Sequence, residues 1–140
     1  MTRRTGPRPP AIRWFAALYL SAALVSLADA IAHLPPHSDR KAWDVAVIVM
    51  SAKLTIALMT IGLVWFFALR FARWLVPLSV AARLAIIAYG ALRVGLPALT
   101  MLSPLFFLST ALGAAAAVAL FTAGGRRWFT PAAQVDDVFA

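Results

Sequence analysis

Apolar residues along this chain fall into four long runs, separated by short breaks rich in proline, glycine or charge. The longest is Trp43 to Leu69, twenty-seven residues with almost no polar interruption, whose charges are Asp44 at its mouth and Lys53 inside it. About 20 residues at ~1.5 Å each cross a hydrocarbon layer of ~30 Å, so a run of this length predicts a membrane-spanning helix. The others are Trp14 to Ala32, Leu78 to Leu99 and Pro104 to Ala123. These predict transmembrane segments over 14–32, 43–69, 78–99 and 104–123. Residues 1–13 form a basic, proline-rich arm without regular helix, and residues 124–140 a short tail. In the first segment Ala28, Ala30 and Ala32 mimic a signal-peptidase site, but the apolar run is longer than a normal signal core, so it is read as a retained helix.

The breaks carry their own signals. In His33 to Ala42, Pro35 and Pro36 stop one helix, and Ser38 or Asp39 is placed to cap the next by accepting from its free N–H groups. Pro77 suits the first turn of the third helix, and Ser103-Pro104 reads as an N-cap followed by proline at the first helical position. Gly124-Gly125 is expected to end the fourth helix.

Charge then sets orientation. Arg3, Arg4, Arg8 and Arg13 precede the first run, Arg70, Arg73 and Arg83 cluster around the second break, and Arg126 and Arg127 follow the fourth run. The opposite side holds Arg40 and Lys41, with Arg93 near it. Because basic loops stay cytoplasmic, both termini are expected inside. The expected fold is an all-α membrane protein: four transmembrane helices in an antiparallel bundle, with the N- and C-termini in the cytoplasm of a bacterial cell and the helices in its inner membrane.

Composition supports that class. Of 140 residues 63% are hydrophobic and 13% charged, against ~45–50% and ~25% in soluble domains. The net charge of +8 would suggest nucleic acid in a soluble protein. Here the basic residues flank apolar runs, so anionic lipid headgroups are the expected partner and nucleic acid is not. Arg8, Arg13, Arg70, Arg73, Arg126 and Arg127 are the anchors, with Arg3 and Arg4. The absence of cysteine excludes disulfides and thiolate chemistry. His33 and His37 stand four apart, but two prolines lie between them and no third ligand is apparent, so neither metal nor cofactor is expected.

Candidate chemistry rests on Asp29, Lys53 and Arg93, charged residues inside apolar runs. From the expected outer boundaries they lie roughly 6, 15 and 9 Å deep at ~1.5 Å per residue. One reading is an ion-paired cluster that pins the register of the bundle. The other counts two cations against one anion and, with Ser26 and Ser51, makes an anion site. Small residues recur at spacings of four that let helices approach closely: Ala22, Ser26 and Ala30; Ala91 and Gly95; Ala111, Ala115 and Ala119, with Gly113 beside them. Two functions follow. One is a non-enzymatic accessory or scaffold subunit, joined to other membrane subunits or to copies of itself. The other is a small dimeric transporter or channel for an anionic or small solute, built around the charge cluster.

Overall fold

The computed structural model describes residues 7–36, 38–69, 71–95 and 102–129. Among them it is all-helical: α1 (Pro10–Ala32), α2 (Arg40–Gly62), a π-helical turn (Leu63–Phe67), α3 (Ala72–Val94), α4 (Pro104–Phe121) and a short α5 (Ala123–Trp128). Four helices are long and apolar enough to cross a membrane, with α2 and the π turn together making one span.

Local chemistry explains the boundaries. Pro10 starts α1 because its ring presets the helical φ and its missing N–H belongs to an unbonded first turn. The helix therefore begins inside the segment expected to be a non-helical arm, and Ile12 is fully buried. Asp39 caps α2, its Oδ1 accepting from the Ala42 N–H at 3.1 Å. No proline or glycine ends the second span. It widens into the π turn and stops at Ala68, whose left-handed backbone (φ 49°, ψ 39°) turns the chain towards α3.

The third helix begins at Ala72, well before Pro77, which lies inside it. Pro77 has no N–H to give the carbonyl of Arg73, and the helix continues past that lost bond. It ends at Gly95, whose φ of 81° and ψ of −169° fall in a region essentially restricted to glycine. Gly95 thus terminates α3, where the sequence suggested a packing role.

Ser103 caps α4 as expected, accepting from the Phe106 N–H at 3.0 Å. At Thr122 the backbone opens to ψ 163°, and its hydroxyl accepts from the Gly125 N–H at 3.4 Å. Gly124 and Gly125 therefore lie inside α5 and do not end the preceding helix. An added Cβ on Gly125 would stand 2.5 Å from the Leu120 carbonyl oxygen, so only glycine lets α5 lie this close to α4.

Helix α1 has its most extensive contact with α4. α2 packs mainly on α1 and α3 mainly on α4, while α2 and α3 touch each other only slightly. The core gathers Ile12 and Phe15 of α1, Val64 of the π turn, Ala72 and Val76 of α3, Ala116 and Leu120 of α4, and Trp128 and Phe129. The Trp128 indole N–H donates to the Val64 carbonyl at 2.9 Å, tying α5 to the π turn. Ile48, Ile56, Leu78, Leu92 and Val118 are exposed. A soluble monomer seldom carries so much apolar surface, whereas a bilayer solvates it.

The small residues pack differently from expectation. Ala22 is buried, and Ser26, Ala30 and Ala91 are half-buried. On α4 the buried stripe is Ser109, Gly113, Ala116 and Leu120, and a Cβ on Gly113 would meet Val80 of α3 at 3.3 Å. Ala111 and Ala115 face outward and Ala119 is half-buried. Both stripes have helical spacing, and the serine-glycine one lies against α3.

Candidate intramembrane cavity

A cavity of about 630 Å³ lies among the four long helices. Each helix contributes one stripe at spacings of three and four, the repeat of a single helix face. From α1 come Tyr19, Ala22, Ala23, Ser26, Asp29, Ala30 and His33. Met50, Lys53, Ile56 and Ala57 come from α2, and Ser79, Val80, Arg83 and Ile86 from α3. Leu102, Ser103, Phe106, Ser109 and Gly113 complete it from the start and first half of α4. The wall is mostly apolar, with polar groups at a few points, the usual build of a small-molecule site.

Arg83 is the residue that sequence reasoning placed wrongly. Counted from an expected helix start at Leu78 it looked close to the headgroups. With α3 starting at Ala72 it sits about 16 Å along the helix at ~1.5 Å per residue, near the middle. Its Nη1 donates to Ser109 Oγ at 2.6 Å and its Nη2 to Ser26 Oγ at 3.3 Å. The guanidinium also lies 5.8 Å from the centre of the Phe106 ring. Ser109 passes its own proton to the Phe106 carbonyl at 3.0 Å, leaving its lone pairs for Arg83. Arg83 thereby links α1, α3 and α4. The clue was the Ser109/Gly113 pair beside the alanine stripe, the small face an arginine on a neighbouring helix needs.

Asp29 and Lys53 both line the cavity, as the sequence suggested, but they are not paired. Asp29 accepts the Ser103 hydroxyl proton at 2.5 Å, and His33 Nδ1 lies 3.3 Å from its Oδ1. His33 Nδ1 also lies 2.8 Å from the Asp29 backbone carbonyl. The carboxylate therefore bonds to the cap of α4, where the helix dipole favours negative charge. Arg93 is not among the cavity residues. It is exposed at the last turn of α3, its guanidinium 5.4 Å from the Tyr89 ring centre. Among the described residues no carboxylate lies within ion-pair distance of Lys53, Arg83 or Arg93. The cavity's charges are thus Asp29, Lys53 and Arg83. Ser51 takes no part, since its hydroxyl donates back to the Val47 and Ile48 carbonyls of its own helix.

The basic anchors gather around the packed core. Arg8 lies 5.0 Å from the Trp65 ring centre, and Arg73 lies 4.4 Å from that of Phe121. Arg126 donates from Nε to the Phe121 carbonyl at 3.0 Å, and Arg13 and Arg127 are exposed. Arginine over aromatic rings gains cation–π attraction and suits a membrane interface. Arg3, Arg4, Arg70 and His37 lie outside the described residues, and among those described no cluster of three metal-ligating side chains occurs. No protein-family model, curated protein or solved structure matches the chain.

Proposed function

We propose that this protein is a small integral membrane protein of the bacterial inner membrane that binds and moves a small solute through its intramembrane cavity. The helices run antiparallel and both termini are cytoplasmic, the orientation that Arg8, Arg13, Arg73, Arg126 and Arg127 favour over Arg40 and Lys41. Moving Arg83 into the interior leaves that balance unchanged in sign. The observation that carries the reading is the cavity itself, with Lys53 and Arg83 on its wall and, among the described residues, no carboxylate within ion-pair distance of either. Cations within the apolar span are costly and mark solute paths or partners.

The role in this reading is binding and passage: the Ser79 and Ser109 hydroxyls donate to backbone carbonyls and that of Ser103 to Asp29, so these wall serines are held within the protein's own hydrogen bonds.

Intact-mass measurement on protein released from native membranes into lipid nanodiscs tests this reading. A small-molecule adduct is expected on the wild type and not on Ile56→Trp, which fills the cavity from an exposed wall position. An adduct retained at equal occupancy by Ile56→Trp refutes it. Single cysteines introduced at Thr2 and Ala140 test topology cleanly, because the chain has no native cysteine. Labelling of both from the periplasm overturns the orientation.

A second reading, an accessory subunit or homo-oligomer, draws on the outward face of Ala111, Ala115 and Val118. It predicts that Ala115→Leu with Ala119→Leu changes the assembled mass. An unchanged mass, with no other subunit at fixed stoichiometry, removes it.

A further inference from the structure

We infer that the cavity takes an anionic amphiphile with a single hydrocarbon chain, entering sideways from the bilayer between α2 and α3. This rests on the cavity being a binding site, and it adds the chemical class of the ligand and its route.

The head follows from charge. Lys53 and Arg83 bring two cations to the wall, and the carboxylate of the described wall, Asp29, already accepts from Ser103 and lies 3.3 Å from His33 Nδ1. Serine hydroxyls satisfy two N–H groups of Arg83 but bring no negative charge. A guanidinium has five N–H donors and no acceptor, so it keeps donors for a carboxylate or phosphate oxygen. Lys53, an exposed residue of α2 that also lines the cavity, adds an ammonium. An anion bound at these cations offsets the cost of holding their charge in an apolar span.

The chain follows from the rest of the wall. Tyr19, Leu27, Met50, Val80 and Phe106 offer carbon surface on every side. A cavity of about 630 Å³ holds roughly twenty groups the size of a water molecule at ~30 Å³ each. That suits one acyl or prenyl chain with a small head and is too little for a two-chain phospholipid.

The route follows from the packing. Three of the four seams around the cavity, α1 with α4, α1 with α2 and α3 with α4, are closed by extensive contact, while α2 and α3 touch only slightly. Ile56 of α2 and Ile86 of α3 are both exposed and both line the cavity. An opening flanked by isoleucines faces hydrocarbon, where an amphiphile already lies.

The test is intact-complex mass spectrometry of maltoside-solubilised full-length protein, titrated with oleate or with oleyl alcohol, its neutral counterpart. One oleate per chain is expected, bound about tenfold more tightly than the alcohol, as a charge-assisted contact implies. Lys53→Met should weaken oleate about tenfold and leave the alcohol unchanged. Arg83→Gln should do the same, with Arg83→Lys partly restoring oleate, which separates lost charge from misfolding. Equal binding of acid and alcohol overturns the anionic head while the cavity remains a binding site. Displacement of oleate by inorganic phosphate or acetate at matching concentration overturns the hydrocarbon chain. Binding of neither probe overturns the amphiphile and leaves the cavity to the native-adduct test, whereas equal binding by Ile56→Trp removes the cavity as the site.

Discussion

Replacing Gly125 by alanine adds one carbon where α5 folds against the end of α4. That carbon would stand 2.5 Å from the Leu120 carbonyl oxygen and 2.8 Å from that of Ala119. Both are backbone atoms of the last turn of α4, so the relief must come from α5 moving away. Overpacking of this kind costs about 1–3 kcal/mol. The same movement strains the Trp128 to Val64 hydrogen bond of 2.9 Å, which contributes about 0.5–1.5 kcal/mol. Against this, alanine is favoured over glycine within a helix by about 0.5–1 kcal/mol. The expected net loss is about 2 kcal/mol. Gly124→Ala is the control. Its Cβ would lie 3.5 Å from the Ala11 Cβ, an ordinary contact, so it keeps the helix gain and should be stabilised by about 0.5 kcal/mol. Dodecyl sulfate titration followed by far-ultraviolet circular dichroism measures both. Equal midpoints for the two variants would refute the close approach of α5 to α4 and the clamp built on it.

Three further outcomes follow from the same packing. Phe15→Ala empties a fully buried site stacked on Tyr19 at 5.6 Å and should cost about 3–5 kcal/mol in that titration. Leu20→Ala, at an exposed position of the same helix, should cost far less, and equal losses would contradict the burial. Trp128→Phe keeps an aromatic ring but removes the N–H that the Val64 carbonyl accepts, for a loss of about 1–2 kcal/mol. An unchanged midpoint would mean that the bond contributes nothing. Ser103→Ala removes both the cap of α4 and the proton donated to Asp29. It should cost about 1–2 kcal/mol and speed amide exchange at Phe106, whereas Ser103→Thr should preserve both; equal exchange in the two would sink the capping argument.

The four spans were legible because hydropathy and length alone define a bilayer-crossing helix, and the Ser103 and Asp39 caps because each places an oxygen where free N–H groups need it. What the sequence hid was governed by contacts between distant segments. Nothing in Leu63 to Phe67 announces a π turn, since no breaker stands there, and the widening accompanies the Trp128 bond from sixty-four residues away. Pro77 misled because a proline within a packed helix resembles a proline at its start, and that shift of six residues displaced Arg83 from the middle to the edge. Asp29 and Lys53 were found by their cost in hydrocarbon. Their failure to pair was invisible, because Asp29 bonds to Ser103, which only the close packing of α1 on α4 brings near.

That packing of α1 on α4 also bears on how the chain is made. Of these helices α1 is synthesised before the others, and it finds its largest contact surface in α4. Until α4 is synthesised, Phe15 and Ile12 lack the Ala116 and Leu120 that complete their cluster, and Arg83 enters the bilayer without Ser109 to receive its N–H. α1 and α2 can meet beforehand, but the core cluster is complete only once α4 lies beside α1 and α3. A chain that ends before residue 104 lacks Ser109, so Arg83 keeps Ser26 alone of its two serine acceptors and the α4-facing side of α1 stays uncovered.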